Sequence, residues 1–171
     1  MNNNYELLHT MIRVYDLEKS IDFYTRLMGM KLLRRKEFPK GRFTLAFVGY
    51  GPEKESTVIE LTHNWDQQEQ YQMGNAFGHL AIGVNNIYGV CKMLVEEGVR
   101  VPRPAGPMKG GERIIAFVED PDGYKIELIE REKTKNYLRF FNSTKVLSVS
   151  PKYSCLGLPI LWLGSSTISF H

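Results

Sequence analysis

One short pattern is written twice in this chain of 171 residues, and that repetition limits the fold more than any other feature. The first copy runs from His9 through Ala46-Phe47-Val48 to Ile59-Glu60-Leu61. The second runs from His79 through Ala116-Phe117-Val118 to Ile126-Glu127-Leu128. From histidine to the triplet's alanine is 37 positions in both copies. From the triplet's valine to the glutamate is 12 positions in the first and 9 in the second, a difference one hairpin loop absorbs. A period of about 70 residues, given only twice, is too long and too few for a solenoid. It implies a duplication in which two sheets meet across a pseudo-two-fold axis.

The element pattern agrees. Residues 7–14 alternate as a β-strand, and Asp16 then caps a helical pattern carrying Leu17, Ile21, Tyr24, Leu27 and Met28 on one face, ended by Gly29. Strand-like runs follow over roughly 31–38, 43–49 and 56–63. The second copy repeats the order: a strand around 77–84, Asn85 and Asn86, and a helix with Ile87, Val90, Cys91, Leu94 and Val95 on one face, stopped by Gly98. Strands near 99–103, 113–119 and 124–130 complete it, with Asp120-Pro121-Asp122-Gly123 a strong turn. The predicted fold class is α+β, two tandem βαβββ modules over residues 1–64 and 77–131 joined by a linker at 65–76.

Residues 132–171 abandon this logic and read as an atypical, poorly ordered tail. They hold five basic residues and one acidic, against 17 basic and 18 acidic in residues 1–131, so the net charge of +3 belongs to the tail. The body lacks the basic character that phosphate neutralisation demands, which argues against nucleic acid as a partner. The apolar run Leu156 to Gly164 is short and broken by Pro159. No stretch reaches the ~18 apolar residues of a membrane span, and the first residues lack the pattern of a secretory signal. With two cysteines, Cys91 and Cys155, and no CxxC pair, a reducing cytoplasm is the expected compartment.

The paired His and Glu residues carry the chemistry. A carboxylate between Val58, Ile59 and Leu61 is costly to bury without a cation, and Glu127 between Ile126 and Leu128 poses the same problem. His9, Glu60, His79 and Glu127 are therefore predicted metal ligands. Two imidazoles and two carboxylates without a thiolate form a fairly hard set that suits an octahedral divalent ion with room for water, whereas closed structural zinc sites usually use cysteine. Strand residues i and i+4 share a face about 13 Å apart. Arg13 thus accompanies His9, and Asn64 accompanies Glu60, as groups able to hold the far end of an elongated anionic ligand. Their equivalents in the second copy are Gly83 and Arg131, so the repeat keeps its ligands and drops its substrate contacts. His63 falls on the opposite face from Glu60 and reads as packing or solvent-facing, Cys91 as a core residue, and Trp65 as packing or as a wall of the substrate groove.

Several stretches resemble bacterial-type glyoxalase I: Leu8-His9-Thr10-Met11-Ile12-Arg13-Val14, Ser20-Ile21-Asp22-Phe23-Tyr24, Gly29-Met30-Lys31-Leu32-Leu33, Val58-Ile59-Glu60-Leu61-Thr62, and Ala116 through Asp120-Pro121-Asp122-Gly123-Tyr124 to Ile129. The resemblance spans roughly residues 7–131. It implies the vicinal-oxygen-chelate fold, lactoylglutathione lyase activity through an enediolate, and a homodimer whose two subunits share each site. It also implies metal binding by His9, Glu60, His79 and Glu127, catalysis by Glu127 with Glu60 as its counterpart, and glutathione contacts from Arg13 and Asn64. Short members of that family are typically activated by nickel or cobalt and the longer ones by zinc, so nickel is the expected ion, with glutathione part of the substrate. Residues 104–111 read as a flexible loop whose Lys109 closes over the bound peptide. The competing readings are another metalloenzyme of the same fold, an epimerase or a dioxygenase, and a metal-free binding protein of the bleomycin-resistance kind.

Overall fold

A computed structural model describes residues 5–131; the expectations for the tail lie outside them. The first module contains β1 (His9–Arg13), β2 (Lys31–Phe38), β3 (Phe43–Gly49) and β4 (Val58–Asn64), and its sheet has the order β1-β4-β3-β2. The second contains β5 (Leu80–Val84), β6 (Arg103–Pro107), β7 (Ile114–Glu119) and β8 (Lys125–Glu130), in the order β5-β8-β7-β6. In each sheet the first and last strands of the module pair in parallel and the other neighbours are antiparallel. This is the duplicated mixed-sheet architecture that the repeat implies.

Alternation along the strands divides each sheet into an apolar and a functional face. Ile12, Val14, Ala46, Val48, Ile59 and Leu61 are buried with Leu17, Phe23 and Tyr24 of the first helical segment. Ile82, Ala116, Val118, Ile126 and Leu128 form the matching layer with Ile87, Cys91 and Leu94 of α2 (Ile87–Glu96). Cys91 is a buried free thiol whose ionisation burial pushes upward, as the core reading expected.

The first helical segment begins as foreseen, with the Asp16 side chain accepting from the Lys19 N–H, but it does not stay α-helical. After α1 (Leu17–Asp22) the chain widens into a π-turn over Phe23–Leu27, where the Met28 N–H reaches back to the Phe23 carbonyl. The Thr25 hydroxyl donates to the Ile21 carbonyl at 2.7 Å, competing with the regular ladder. Gly29, at φ +72°, then turns the chain into β2 in a conformation other residues rarely take.

One strand is displaced from its expected place. The strand expected near 99–103 overlaps β6 only at Arg103; β6 covers Arg103–Pro107, and the rest of it lies within the 104–111 stretch expected to be a loop. Pro104 and Pro107 fit in β6 because it is at the sheet's edge, where a missing N–H is tolerated. What remains of the loop is a tight turn, with the Met108 N–H on the Arg113 carbonyl at 2.8 Å.

The modules are fastened by the Asp120–Tyr124 turn. The buried Asp120 carboxylate accepts the Tyr24 hydroxyl at 2.8 Å through one oxygen, and the Asp122 and Tyr124 N–H groups through the other. Asp122 accepts the Tyr15 N–H and the Ser20 hydroxyl, and the Tyr124 hydroxyl accepts the Arg13 N–H. The last two N–H groups on the outer edge of β1 and its extension, which would otherwise lack partners, are thereby satisfied by the other module.

Burial raises the Asp120 carboxyl from 3.8 to about 6, against the opposing hydrogen bonds of Tyr24 and Tyr124. A carboxyl raised on folding contributes stability that is full below its unfolded pKa and is lost as pH rises through its folded value. Between pH 4 and pH 7 that loss is on the order of 3 kcal/mol. Asp120→Asn keeps one acceptor oxygen, replaces the other with an NH2 donor at a pH-independent cost and removes the charge, so its stability relative to the parent should improve by about that amount from pH 4 to pH 7. Urea unfolding at the two pH values measures this, and a pH-independent difference would contradict it.

Candidate metal centre and substrate face

Register sets the functional face. In the parallel β1–β4 pair, His9, Met11 and Arg13 stand beside Val58, Glu60 and Thr62, and Phe47 of β3 lies directly opposite Glu60. His9 Nε2 is 3.3 Å from Glu60 Oε2, and the imidazole meets the Phe47 ring edge-on at 5.8 Å. The second sheet repeats the arrangement: His79 Nε2 is 3.2 Å from Glu127 Oε2, Phe117 lies opposite Glu127, and the His79 and Phe117 rings are edge-on at 5.4 Å. Both histidines are about two-fifths exposed and both glutamates about one-seventh. Each pair is thus a nitrogen and an oxygen donor converging from one face, open on the solvent side. The phenylalanine of the shared triplet is what each imidazole rests on, a role the repetition of Ala-Phe-Val could have signalled.

The expected set of four does not gather within one chain. Among the described residues, no group of three or more His, Cys, Asp or Glu is placed to hold a metal ion. A divalent ion takes four to six donors, so neither pair alone makes a full coordination shell. The donor chemistry fits a hard divalent ion, and two donors per pair leave the rest of its shell to water, substrate or further side chains.

Around these matched pairs the modules differ. Glu60 Oε1 accepts the Thr62 hydroxyl at 3.1 Å, whereas the residue two places after Glu127 is Ile129, which cannot donate. Asn64 Nδ2 donates to the Tyr71 hydroxyl at 2.9 Å. The Arg13 guanidinium is exposed and forms no ion pair among the described residues. In the second module the place of Arg13 is Gly83, and the stem of Arg131 lies across it so closely that a Cβ there would sit 3.0 Å from Arg131 Cγ. Arg34 of β2, not foreseen from sequence, stacks on Phe47 at 3.4 Å from the ring centre while its Nε donates to Glu53. Lys109 is exposed at the tip of the β6–β7 hairpin. His63 turns to the helix side, its Nδ1 3.4 Å from the Val14 carbonyl, and Trp65 Nε1 donates to the Thr44 hydroxyl at 2.8 Å.

The model of the Glyoxalase/Bleomycin resistance protein/Dioxygenase superfamily matches residues 6–128. The chain belongs to this superfamily. Within it, the chain falls among the bacterial-type glyoxalase I sequences. It is 63% identical over 126 residues to the lactoylglutathione lyase of Neisseria meningitidis serogroup A, covering 74% of this chain and 91% of that protein. It is 62% identical over 124 residues to the lactoylglutathione lyase of Salmonella typhimurium, covering 72% and 91%. Among solved structures, the trypanothione-dependent glyoxalase I of Leishmania major superposes with a TM-score of 0.67 at 44% identity, covering 74% of this chain and 87% of that one. Glyoxalase I of Zea mays gives 0.71 at 43% identity, and this chain spans less than half, 45%, of the maize chain.

In this superfamily member Phe47 is only 2% exposed and supports both His9 and Arg34. Phe47→Ala should lower unfolding free energy by about 3–5 kcal/mol, the usual cost of a large aromatic deleted from a packed site. Chemical denaturation checks the value, and a loss under 1 kcal/mol would mean the imidazole is held by something else.

Proposed function

We propose that this chain is a metal-dependent lactoylglutathione lyase, isomerising the hemithioacetal of methylglyoxal and glutathione to S-lactoylglutathione. The observation that carries the reading is a duplicated His/Glu face on which only the first copy is extended by Arg13 and Asn64. Sequence identity of 56–63% to proteins of that name supports it. The working unit is a homodimer in which the His9–Glu60 pair of one copy faces the His79–Glu127 pair of the other, and no nucleic acid or membrane is involved. Cytoplasm, where glutathione is abundant and thiols stay reduced, is the compartment this reaction requires.

His9, Glu60, His79 and Glu127 would hold a divalent ion, with nickel the first candidate and cobalt and zinc next. When bound, the ion supplies positive charge that offsets the negative charge developing on the two substrate oxygens. Arg13 binds a terminal carboxylate of glutathione by forked hydrogen bonds, and Asn64 adds an amide contact. Lys109 folds over the peptide from the hairpin tip. Glu127 takes the proton from the carbon bearing sulfur, leaving an enediolate, and the proton returns to the neighbouring carbon as the thioester forms. Atoms and electrons balance within the substrate, so no external oxidant is needed. Glu127 suits the proton-moving role because the Thr62 hydroxyl that steadies Glu60 has only Ile129 as its counterpart. Glu60 serves the opposite face.

The deciding experiment is a lyase assay with methylglyoxal and glutathione on protein reconstituted with nickel, cobalt or zinc. Activity should depend on metal, and Glu127→Gln should retain metal while losing at least a hundredfold in kcat, the usual worth of a general base. Full turnover by a metal-loaded Glu127→Gln protein would remove Glu127 as the base. Less than ~0.1 ion per subunit and no activity with any added metal would favour a binding protein instead.

Shared sites have a separate signature. His9→Ala and His79→Ala proteins should each be inactive alone. Unfolded and refolded together, half of the dimers pair unlike chains and keep one intact site, so roughly a quarter of parental activity should return. No recovery in a refolded mixture that dimerises normally would place each site within one chain.

A further inference from the structure

The linker between the modules contains Tyr71, whose hydroxyl is bonded to Asn64 at the end of β4. Tyr71 receives the Asn64 side-chain N–H at 2.9 Å, which commits the Nδ2 end of that amide to the protein. The Oδ1 end is left free, with no hydrogen bond among the described residues. Without the phenol, an exposed asparagine amide can turn by half a revolution and present either a donor or an acceptor. With it, Asn64 presents an acceptor. On the same face, the Tyr124 hydroxyl accepts the Arg13 backbone N–H at 3.2 Å and its ring meets Phe77 edge-on at 5.2 Å, so the strand position of Arg13 is held while its guanidinium stays exposed. Arg13, Tyr71, Phe77 and Tyr124 line one cleft of about 260 Å³. A cation and an oriented acceptor on one sheet face are the complement of a carboxylate and an ammonium on one carbon.

We propose that Tyr71 is a positioning residue that aims the Asn64 carbonyl at the ammonium of an α-amino-acid head group whose carboxylate Arg13 takes, so that the linker sets thiol selectivity. This rests on the reading of Arg13 and Asn64 as glutathione contacts. In glutathione only the γ-glutamyl end carries ammonium and carboxylate on one carbon. Tyr71 therefore acts through Asn64 on the recognition of that end and touches no reacting atom.

The test compares two hemithioacetals in the full-length, metal-loaded protein: methylglyoxal with glutathione, and methylglyoxal with glutaryl-cysteinylglycine, which lacks only the ammonium. The parent should favour glutathione in kcat/KM. In Tyr71→Phe that preference should shrink about five- to tenfold, the worth of one oriented hydrogen bond to a charged group. The change should appear in KM for the glutathione adduct, with kcat within about twofold and metal content unaltered. Asn64→Ala should abolish the preference, and adding Tyr71→Phe to it should change nothing further. A Tyr71→Phe protein that loses equally on both adducts, or that keeps the full preference, would overturn the inference. Absence of turnover with the glutathione adduct in the parent would instead overturn the functional reading beneath it.

Discussion

A side chain on a β-strand must face one side of its sheet or the other, and the whole arrangement hangs on that constraint. On β1 it sends Ile12 to the helix side and His9, Met11 and Arg13 to the open side. On β4 it buries Ile59 and Leu61 and turns out Glu60, Thr62 and Asn64. A register slip of one position would exchange the two sets, burying the charges and exposing the core. The same apolar residues that drive collapse therefore fix where the metal-type donors stand, and the His/Glu face needs no separate scaffold.

Duplication explains both what the modules share and where they part. His9 with Phe47 and Glu60, and His79 with Phe117 and Glu127, are nearly the same object twice, with contact distances within 0.1 Å for the donor pairs. Beyond those residues each module has taken its own course. Arg13 stands free where Arg131 lies folded over Gly83, and Thr62 steadies one carboxylate where Ile129 leaves the other unanchored. Under the proposed reaction, a proton leaves one carbon and returns to the next, and inequivalent carboxylates allow the two glutamates different parts. The asymmetry sits in residues two and four positions from the paired histidines and glutamates, where change leaves the pair geometry intact.

Much of this was legible before any coordinates, because it is carried by period and parity. Strand alternation placed Arg13 and Asn64 on the ligand face, and the Asp16 cap and Gly29 stop bounded the first helical segment. The failures have physical causes. Pro104 and Pro107 disguised β6 because strand statistics penalise proline without knowing that the strand is an edge. The π-turn at Phe23–Leu27 depends on a hydroxyl competing for a backbone carbonyl, which leaves no periodic trace. That His9–Glu60 and His79–Glu127 stand as two separate pairs depends on how the modules face each other, which spacing along the chain does not encode. Tyr71 and Arg34 went unnoticed because each works through one neighbour, and a single polar or aromatic residue in a linker or edge strand has no pattern to announce it.

The clasp at the Asp120–Tyr124 turn also has a history in time. It joins residues separated by 96 to 111 positions along the chain. A ribosome releases the first module long before the turn that finishes it exists. During that interval β1 keeps outward N–H groups without partners, and Tyr24 and Ser20, both fully buried in the finished protein, have no carboxylates to meet. Loop closure over such separations is slow relative to local hairpin formation. The young chain therefore passes through a stage with an open sheet edge, the kind of surface that chaperones shield and that neighbouring nascent chains can capture. The contact that locks the two modules together is also the last piece of the first module to be made.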